Sequence, residues 1–404
     1  DLSPAIQDFT QGILHNRRFK EAYLARADAW LKLGHTEGVI EDYNTVIGLY
    51  PTAHDVYTLR GIFYIQQGDI DLALADFTTA IRHNPNDAQA FNERGKIYFQ
   101  REDWNLALSD FNRAIAIDSD FAEAYYNRGQ VPPIQFKSRD LDALNLSLAD
   151  FTAAIDLEMI EPYLLRGATN YYLENYEDAL SDLVKYEVLV EPLSNRWQPL
   201  LTELADKLDS NTFTWVQALA KSEAGAYDEA ITDFDTYIAR NPNSAEAYYQ
   251  RGRAYVGDFN SRDALPDLNR AIELDPEYVE AYFWRAQARL TTTAGELTSR
   301  ERSLAAIDDY TSVIVLDPRH TDAVWKRAYE YFQLGSMRSD RDPAYLPLAI
   351  NDLTALIELG EESYYDMRAL TYLEMREYEL ALADFETDEA NGALQSSYIR
   401  DQKR

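Results

Sequence analysis

The sequence predicts an all-α architecture, an array of about ten antiparallel helix pairs stacked along one axis. Three observations predict it. Arg26, Arg60, Arg94 and Arg128 recur at a constant interval of 34 residues. Around each of them an aromatic, a small residue and a second aromatic stand at helical spacing, as in Tyr57, Gly61 and Tyr64. A further apolar stripe follows, such as Ala73, Phe77, Ala80 and Ile81, and a proline, here Pro85, closes the unit. Steps of three and four residues are the signature of a helix with one buried face, and proline stops a helix because it lacks the donor that the next turn needs.

Taken in order, residues Pro4 to Arg17, with Ala5, Asp8 and Phe9 in phase, read as a second helix without its first. The first full copy runs through Tyr23, Arg26, Ala27, Trp30, Gly34, Asp42, Tyr43 and Pro51. The second holds Tyr57, Arg60, Gly61, Tyr64, Gly68, Ala73, Asp76 and Phe77, and the third Phe91, Arg94, Gly95, Tyr98, Trp104, Ala107, Asp110 and Phe111. Seven more are centred on Arg128, Arg166, Ala218, Arg251, Arg285, Arg327 and Arg368. Gly61 and Gly95 on one helix and Ala73 and Ala107 on the other remove side-chain bulk, so the paired helices can touch closely. Pro242, Pro276 and Pro318 close later copies as Pro85 does.

On these residues the chain resembles the tetratricopeptide repeat family over nearly its whole length. The resemblance implies a right-handed superhelical solenoid. The expected organisation is an array over 1–193 (the half-repeat and repeats 1–5), an extra linking helix over 194–210, a second array over 211–390 (repeats 6–10) and a closing helix or tail over 391–404. The linking helix rests on the amphipathic spacing of Trp197, Leu200, Leu201, Leu204 and Leu208.

Three repeats depart from the common length. The interval from the small residue to the aspartate is 15 residues between Gly61 and Asp76. It grows to 21 between Gly129 and Asp150, 23 between Ala286 and Asp309, and 24 between Ala328 and Asp352. Insertions between paired helices are expected as loops on one edge. Pro132 and Pro133 are expected to end the first helix of the fourth repeat early.

An arginine precedes the small residue in nine repeats, and an aspartate precedes the aromatic or leucine of the second helix in all ten, from Asp42 to Asp384. With an anion for each cation in its own period, the arrangement predicts a ladder of partly buried pairs rather than an anion-binding site. Most of the 29 tyrosines, such as Tyr23, Tyr57, Tyr64 and Tyr98, fall on the packing positions beside it.

The resemblance also implies that first helices line the concave face. The position after the first packing aromatic reads Leu24, Thr58, Asn92, Tyr126, Leu164, Trp215, Tyr249, Phe283, Trp325 and Asp366, mostly aromatic from the fourth copy onward. Tyr171, Tyr172, Trp284, Tyr329 and Phe332 lie close by in the same helices. Either these ten aromatics form a partner-binding groove, because exposed apolar patches mark interaction sites, or wider helix spacing at the insertions buries them. Glu21, Asp55, Glu123, Glu161, Glu246, Glu280 and Asp322 stand three residues before the row. They suit the helix dipole, and if they rim the groove they favour an apolar and basic, extended ligand. The Lys and Asn clamp by which some members hold a terminal carboxylate is absent from the first three repeats, which offer Leu24, Asp28, Leu59, Gln89 and Glu93.

The formal charge of −31 disfavours nucleic acid and anionic membranes as partners. The longest aliphatic run, Val313 to Leu316, is too short to cross a bilayer. With no cysteine there is neither disulfide nor thiolate chemistry, a composition that points weakly to an extracytoplasmic or thermophilic source. The start at Asp1 reads as a processed chain or an excised segment. The five histidines have no metal-ligand spacing, and no phosphate loop, dinucleotide turn or nucleophile elbow occurs, so no metal, cofactor or catalytic residue is expected. The expected function is a scaffold for a partner protein or peptide. The alternatives are a regulatory or substrate-recruiting arm of a larger enzyme, and self-assembly through an end helix.

Overall fold

The structure, a computed structural model, describes residues 2–134, 141–190, 198–292, 298–337 and 341–390. It divides into two compact units, Asp1–Leu204 and Ala205–Arg404. Both are arrays of helix pairs, and no strand occurs among the described residues.

In the first unit α1 (Ser3–His15) packs on the pair α2 (Lys20–Lys32) and α3 (Thr36–Leu49). Four more pairs follow: α4 (His54–Gln67) with α5 (Ile70–His83), α6 (Ala88–Gln100) with α7 (Trp104–Ile117), α8 (Ala122–Ile134) with α9 (Leu141–Asp156), and α10 (Pro162–Tyr172) with α11 (Tyr176–Leu189). A further helix, α12 (Gln198–Lys207), precedes the second unit's pairs. These are α13 (Ser210–Glu223) with α14 (Tyr227–Arg240), α15 (Ala245–Gly257) with α16 (Ser261–Leu274), α17 (Val279–Thr291) with α18 (Ser299–Leu316), α19 (Thr321–Phe332) with α20 (Leu346–Glu358), and α21 (Tyr365–Glu374) with α22 (Tyr378–Ala390). The closing segment expected over 391–404 lies outside the described residues, as does Trp197.

Paired helices meet where the sequence omits side chains. A Cβ on Gly61 would lie 2.7 Å from Phe77 Cε1, and one on Gly95 would lie 2.7 Å from Phe111 Cε1. Each phenylalanine is fully buried and fills the seam beneath its glycine. The buried clusters run from one repeat into the next: Ala73, Phe77 and Ala80 of the second repeat with Ala90 and Ile97 of the third, for example. No repeat completes its core without a neighbour.

The predicted ladder is present, and each rung reaches further than one repeat. Arg94 donates from Nε and Nη2 to Asp110 at 2.7 and 2.8 Å, and from Nη1 to Thr78 on the preceding second helix at 3.5 Å. Arg60 does the same with Asp76 and Asn44, and Arg128 with Asp150 and Asn112. Arg251 pairs with Asp267 and, through Nη1, with Asp235 at 2.5 Å. The ring three residues before the arginine lies under its guanidinium, as with Phe91 under Arg94 and Tyr248 under Arg251. In the sixth repeat Ala218 takes the arginine's place, and Lys221, one turn on, reaches Asp233 at 2.8 Å. Burial holds the carboxyls of Asp182, Asp267 and Asp309 above the ordinary aspartate range, against the pull of their arginines.

The insertions are not simply loops. α9 has 16 residues and α18 has 18 where a usual second helix has 14, so part of each insertion extends the second helix at its start. After α19 the chain continues as a π-helical turn over Gln333–Met337, and a 3₁₀ turn over Pro343–Tyr345 leads into α20. Pro132 and Pro133 do not end α8 early. The helix runs to Ile134, 13 residues like α6.

Among the described residues, seven of the first helices close with a left-handed residue that turns the chain into the second helix: Gly34, Gly68 and Gly225, but also Glu102, Glu174, Phe259 and Arg376.

Two substitutions test this packing. Gly95→Ala forces Phe111 to move and is expected to cost about 1–3 kcal/mol in denaturant unfolding. Arg94→Ala leaves buried Asp110 without its cation and is expected to cost about 3 kcal/mol; an unchanged melting curve would mean that the ladder is dispensable.

Candidate functional site

Within each unit successive first helices approach one another more closely than successive second helices do: α4 with α6, α6 with α8, and α15 with α17. First helices therefore lie on the inner side of the local bend, where neighbouring repeats converge.

In the first unit the first helices α2, α4, α6 and α8 carry a set of polar contacts on this side. Lys20 pairs with Asp55 at 2.6 Å, and Lys96 stands between Glu93 and Glu123 at 3.0 and 2.9 Å. Asn127 donates to fully buried Asn92. Thr58 donates at 2.9 Å to Asp87, whose other oxygen caps α6 by accepting from the Ala90 amide. Burial raises the Glu93 carboxyl above its ordinary value.

In the second unit the corresponding positions carry rings. Tyr249 lies on Tyr278 with centroids 4.9 Å apart, Phe283 on His320 at 4.9 Å, and Trp325 on Tyr364 at 5.0 Å. Each partner is the N-cap of the next repeat's first helix. The row is thus a series of inter-repeat stacks, the aromatic counterpart of the Thr58–Asp87 contact. The sequence reading missed Tyr278, His320 and Tyr364. Tyr278 stands 29 residues after Tyr249, as Asp87 does after Thr58, and His320 stands 37 after Phe283, the same offset plus the eight-residue insertion. That offset was the available signal for these two, whereas Tyr364, 39 after Trp325, falls one residue out of that register.

The remaining expected residues divide by burial. Tyr329, 41% exposed, lies beside Trp325 with centroids 5.8 Å apart and belongs to the accessible row. Tyr249 is 6% exposed, its outer face covered by Tyr278, and burial pushes its phenol up. Trp284 packs half-buried against the cluster of Tyr249, Leu268 and Ala281. Phe332, 4% exposed, is enclosed with Leu346 and Ala349 of the paired helix α20. Trp215 leans on its own second helix, against Phe234 and Tyr237, and Tyr126 does likewise against Phe151. In the fifth repeat Tyr172 is 60% exposed and meets Tyr171 edge-on, and Tyr171 donates its hydroxyl to Glu203 on α12. That hydrogen bond pushes the Tyr171 phenol up to about 12, which keeps it a donor across the neutral range.

Glu246, Glu280 and Asp322, in the first turns of α15, α17 and α19, are exposed. Glu246 accepts from Gln250 and from the Tyr278 hydroxyl. Among the described residues neither Glu280 nor Asp322 has an ion-pair partner. A cleft of about 300 Å³ opens in the first unit over Arg166, Asn170 and Asp182, and Arg166 and Asp182 are already engaged with each other in the ladder. Among the described residues no group of three or more His, Cys, Asp or Glu is placed to hold a metal ion, and no helix is long and apolar enough to cross a membrane.

The TPR repeat family model matches residues 61–100 and 95–131, and the tetratricopeptide repeat model matches 216–258 and 249–299. Serine/threonine-protein phosphatase 5 of Homo sapiens is 33% identical over 104 residues, 26% of this chain and 19% of that protein. Aryl-hydrocarbon-interacting protein-like 1 of Mus musculus is 26% identical over 149 residues, 35% of this chain and 45% of that protein. The chain therefore spans less than half the length of either relative. Among solved structures, YrrB, described as a TPR protein with an unusual peptide-binding site, is 23% identical. That match covers 51% of this chain and 95% of that one with a TM-score of 0.26. PilW, a type IV pilus biogenesis factor, is 16% identical, covers 50% of this chain and 91% of that one, and has a TM-score of 0.41.

The stacks make a prediction for stability. Trp325→Ala removes a ring from an inter-repeat contact and is expected to cost about 1 kcal/mol beyond the lost apolar area, read from the denaturant midpoint. A midpoint equal to that of the unsubstituted protein would show a ring idle in the fold and reserved for a ligand.

Proposed function

Because the chain belongs to the tetratricopeptide repeat family, we propose that it is a protein-interaction scaffold that holds an extended segment of a partner protein along the first helices of its second unit. One observation carries the reading: α15, α17 and α19 carry aromatic stacks in three successive repeats, with Trp325 half-buried and Tyr329 exposed, and two exposed acids in the first turns of α17 and α19, Glu280 and Asp322, have no ion-pair partner among the described residues. Rings offer apolar contact at little entropic cost, and they recur as the energetic centres of protein interfaces. The unpaired carboxylates attract cationic side chains and repel acidic ones, so the favoured segment is apolar with lysine or arginine beside its anchors. Peptide binding in a groove between helices needs no catalytic group, and the proposed role is to hold rather than to react. Phe332 and Trp284 support the row from within and do not touch the segment.

Affinity capture with mass spectrometry would identify the partner, and calorimetry would then compare the parent protein with a Tyr329→Ala, Glu280→Lys, Asp322→Lys variant of unchanged helicity. The expected result is at least a tenfold loss of affinity together with a weaker salt dependence. Equal affinity in the two proteins would remove this face from the site.

A further inference from the structure

The turn between α15 and α16 differs from its counterparts. A left-handed residue is required there, since the Phe259 amide donates to the Val256 carbonyl and the Asn260 amide to that of Tyr255. In three sister turns glycine fills the position, as Gly34, Gly68 and Gly225. In three others the residue is Glu102, Glu174 or Arg376, with a side chain that water solvates well. Phe259 adopts φ +58° with its ring 98% exposed. Two costs coincide at this residue: crowding of Cβ against the backbone in the left-handed region, and a large apolar ring left in water. Among the described residues no other ring lies against it, so the fold recovers neither cost.

The surroundings are acidic. The ring of Tyr227, at the start of α14, occupies the space beside Gly257, which brings the turn before α14 against the turn before α16. Asp228, Asp258 and Asp263 are exposed there, and Arg262 is the one basic residue within 223–229 and 257–263.

From this geometry we infer that Phe259 is the anchor of a second docking surface, on the edge formed by these two turns and apart from the first-helix face. Its occupant is a basic amphipathic helix of a partner protein: the apolar side receives the ring, and lysine or arginine flanks meet Asp228, Asp258 and Asp263. A second copy of this chain does not fit, because a formal charge of −31 and the local carboxylates would set acid against acid. Burial of the ring in the complex recovers what its exposure costs the free protein, which accounts for phenylalanine where glycine is easier to accommodate.

The test separates binding from folding. The probe is a fluorescein-labelled peptide of sequence LKKLLKLLKKLLKL, titrated at physiological ionic strength against the full chain and its Phe259→Gly, Phe259→Asn and Phe259→Trp variants, with melting curves for all four. The expected result is that Phe259→Gly and Phe259→Asn melt at or above the parent temperature, since both residues accept the left-handed conformation, yet bind at least tenfold more weakly, whereas Phe259→Trp retains binding. The inference is overturned if the parent does not bind, if the glycine and asparagine variants bind as well as the parent, or if they melt below it, which would assign the ring to the fold. Concentration-dependent self-association of the parent that disappears in Phe259→Gly would equally overturn it, in favour of a second copy.

Discussion

One guanidinium per repeat grips three elements at once, and the rest of the fold is arranged around that grip. Arg94 takes both oxygens of Asp110 on its own second helix, reaches Thr78 on the preceding one, and lies over the ring of Phe91 on its own helix. A planar fork with fixed donor directions can do this and an ammonium cannot, which is why the sixth repeat, with Lys221 in the role, keeps the carboxylate contacts but not the bidentate geometry. Burying such a pair adds little net stability, because desolvation offsets most of the attraction. What the pair supplies is register. The apolar seam of alanines and phenylalanines tolerates small slips, whereas a bidentate contact locks the helices at one offset.

Because register and core are settled on the outer side of each first helix, the inner side is free to differ from repeat to repeat. The first four repeats place Lys20–Asp55, Asn92–Asn127 and the Glu93–Lys96–Glu123 group there, contacts that pair one repeat with the next. The second unit fills it with rings, and among the described residues it leaves Glu280 and Asp322 without an ion-pair partner. A surface with satisfied groups has little to gain from a ligand, whereas half-covered rings beside unpaired charge gain from both burial and pairing. Variation at one helical position, from Thr58 and Asn92 to Phe283 and Trp325, thereby gives one repeated scaffold polar contacts between some neighbouring repeats and aromatic stacks between others.

Most of the fold was legible in the sequence because period, small residues and charge pairs are local quantities that recur. Arg26 to Asp42 and Arg368 to Asp384 have the same spacing and make the same bond. The third limb of each rung was overlooked, although Asn44, Thr78, Asn112, Asp235 and Asn269 recur two residues after the ladder aspartate or, at Asp235, after Asp233. The site was less legible. Whether a ring at a first-helix position is open or covered depends on the residue that opens the next repeat and on how an insertion folds, and neither is set by the ring's own neighbours in sequence. Phe332 looked like Tyr329, yet Leu346 and Ala349 of α20 enclose the first ring while the second is 41% exposed. The insertions likewise lengthened α9 and α18 instead of forming loops alone, because their first residues, such as Ser299, Arg300 and Glu301 behind the Thr298 cap, form helix readily once nucleated.

The most direct test of this account is the coupling free energy between Arg251 and Asp267 in a double-mutant cycle, with Arg251→Met and Asp267→Leu measured singly and together by denaturant unfolding. A keystone contact predicts that the single changes are far from additive, with a coupling of about 2 kcal/mol or more. A coupling within about 0.3 kcal/mol of zero would contradict the claim that the guanidinium grip organises the repeats, and would leave register to the apolar seam alone.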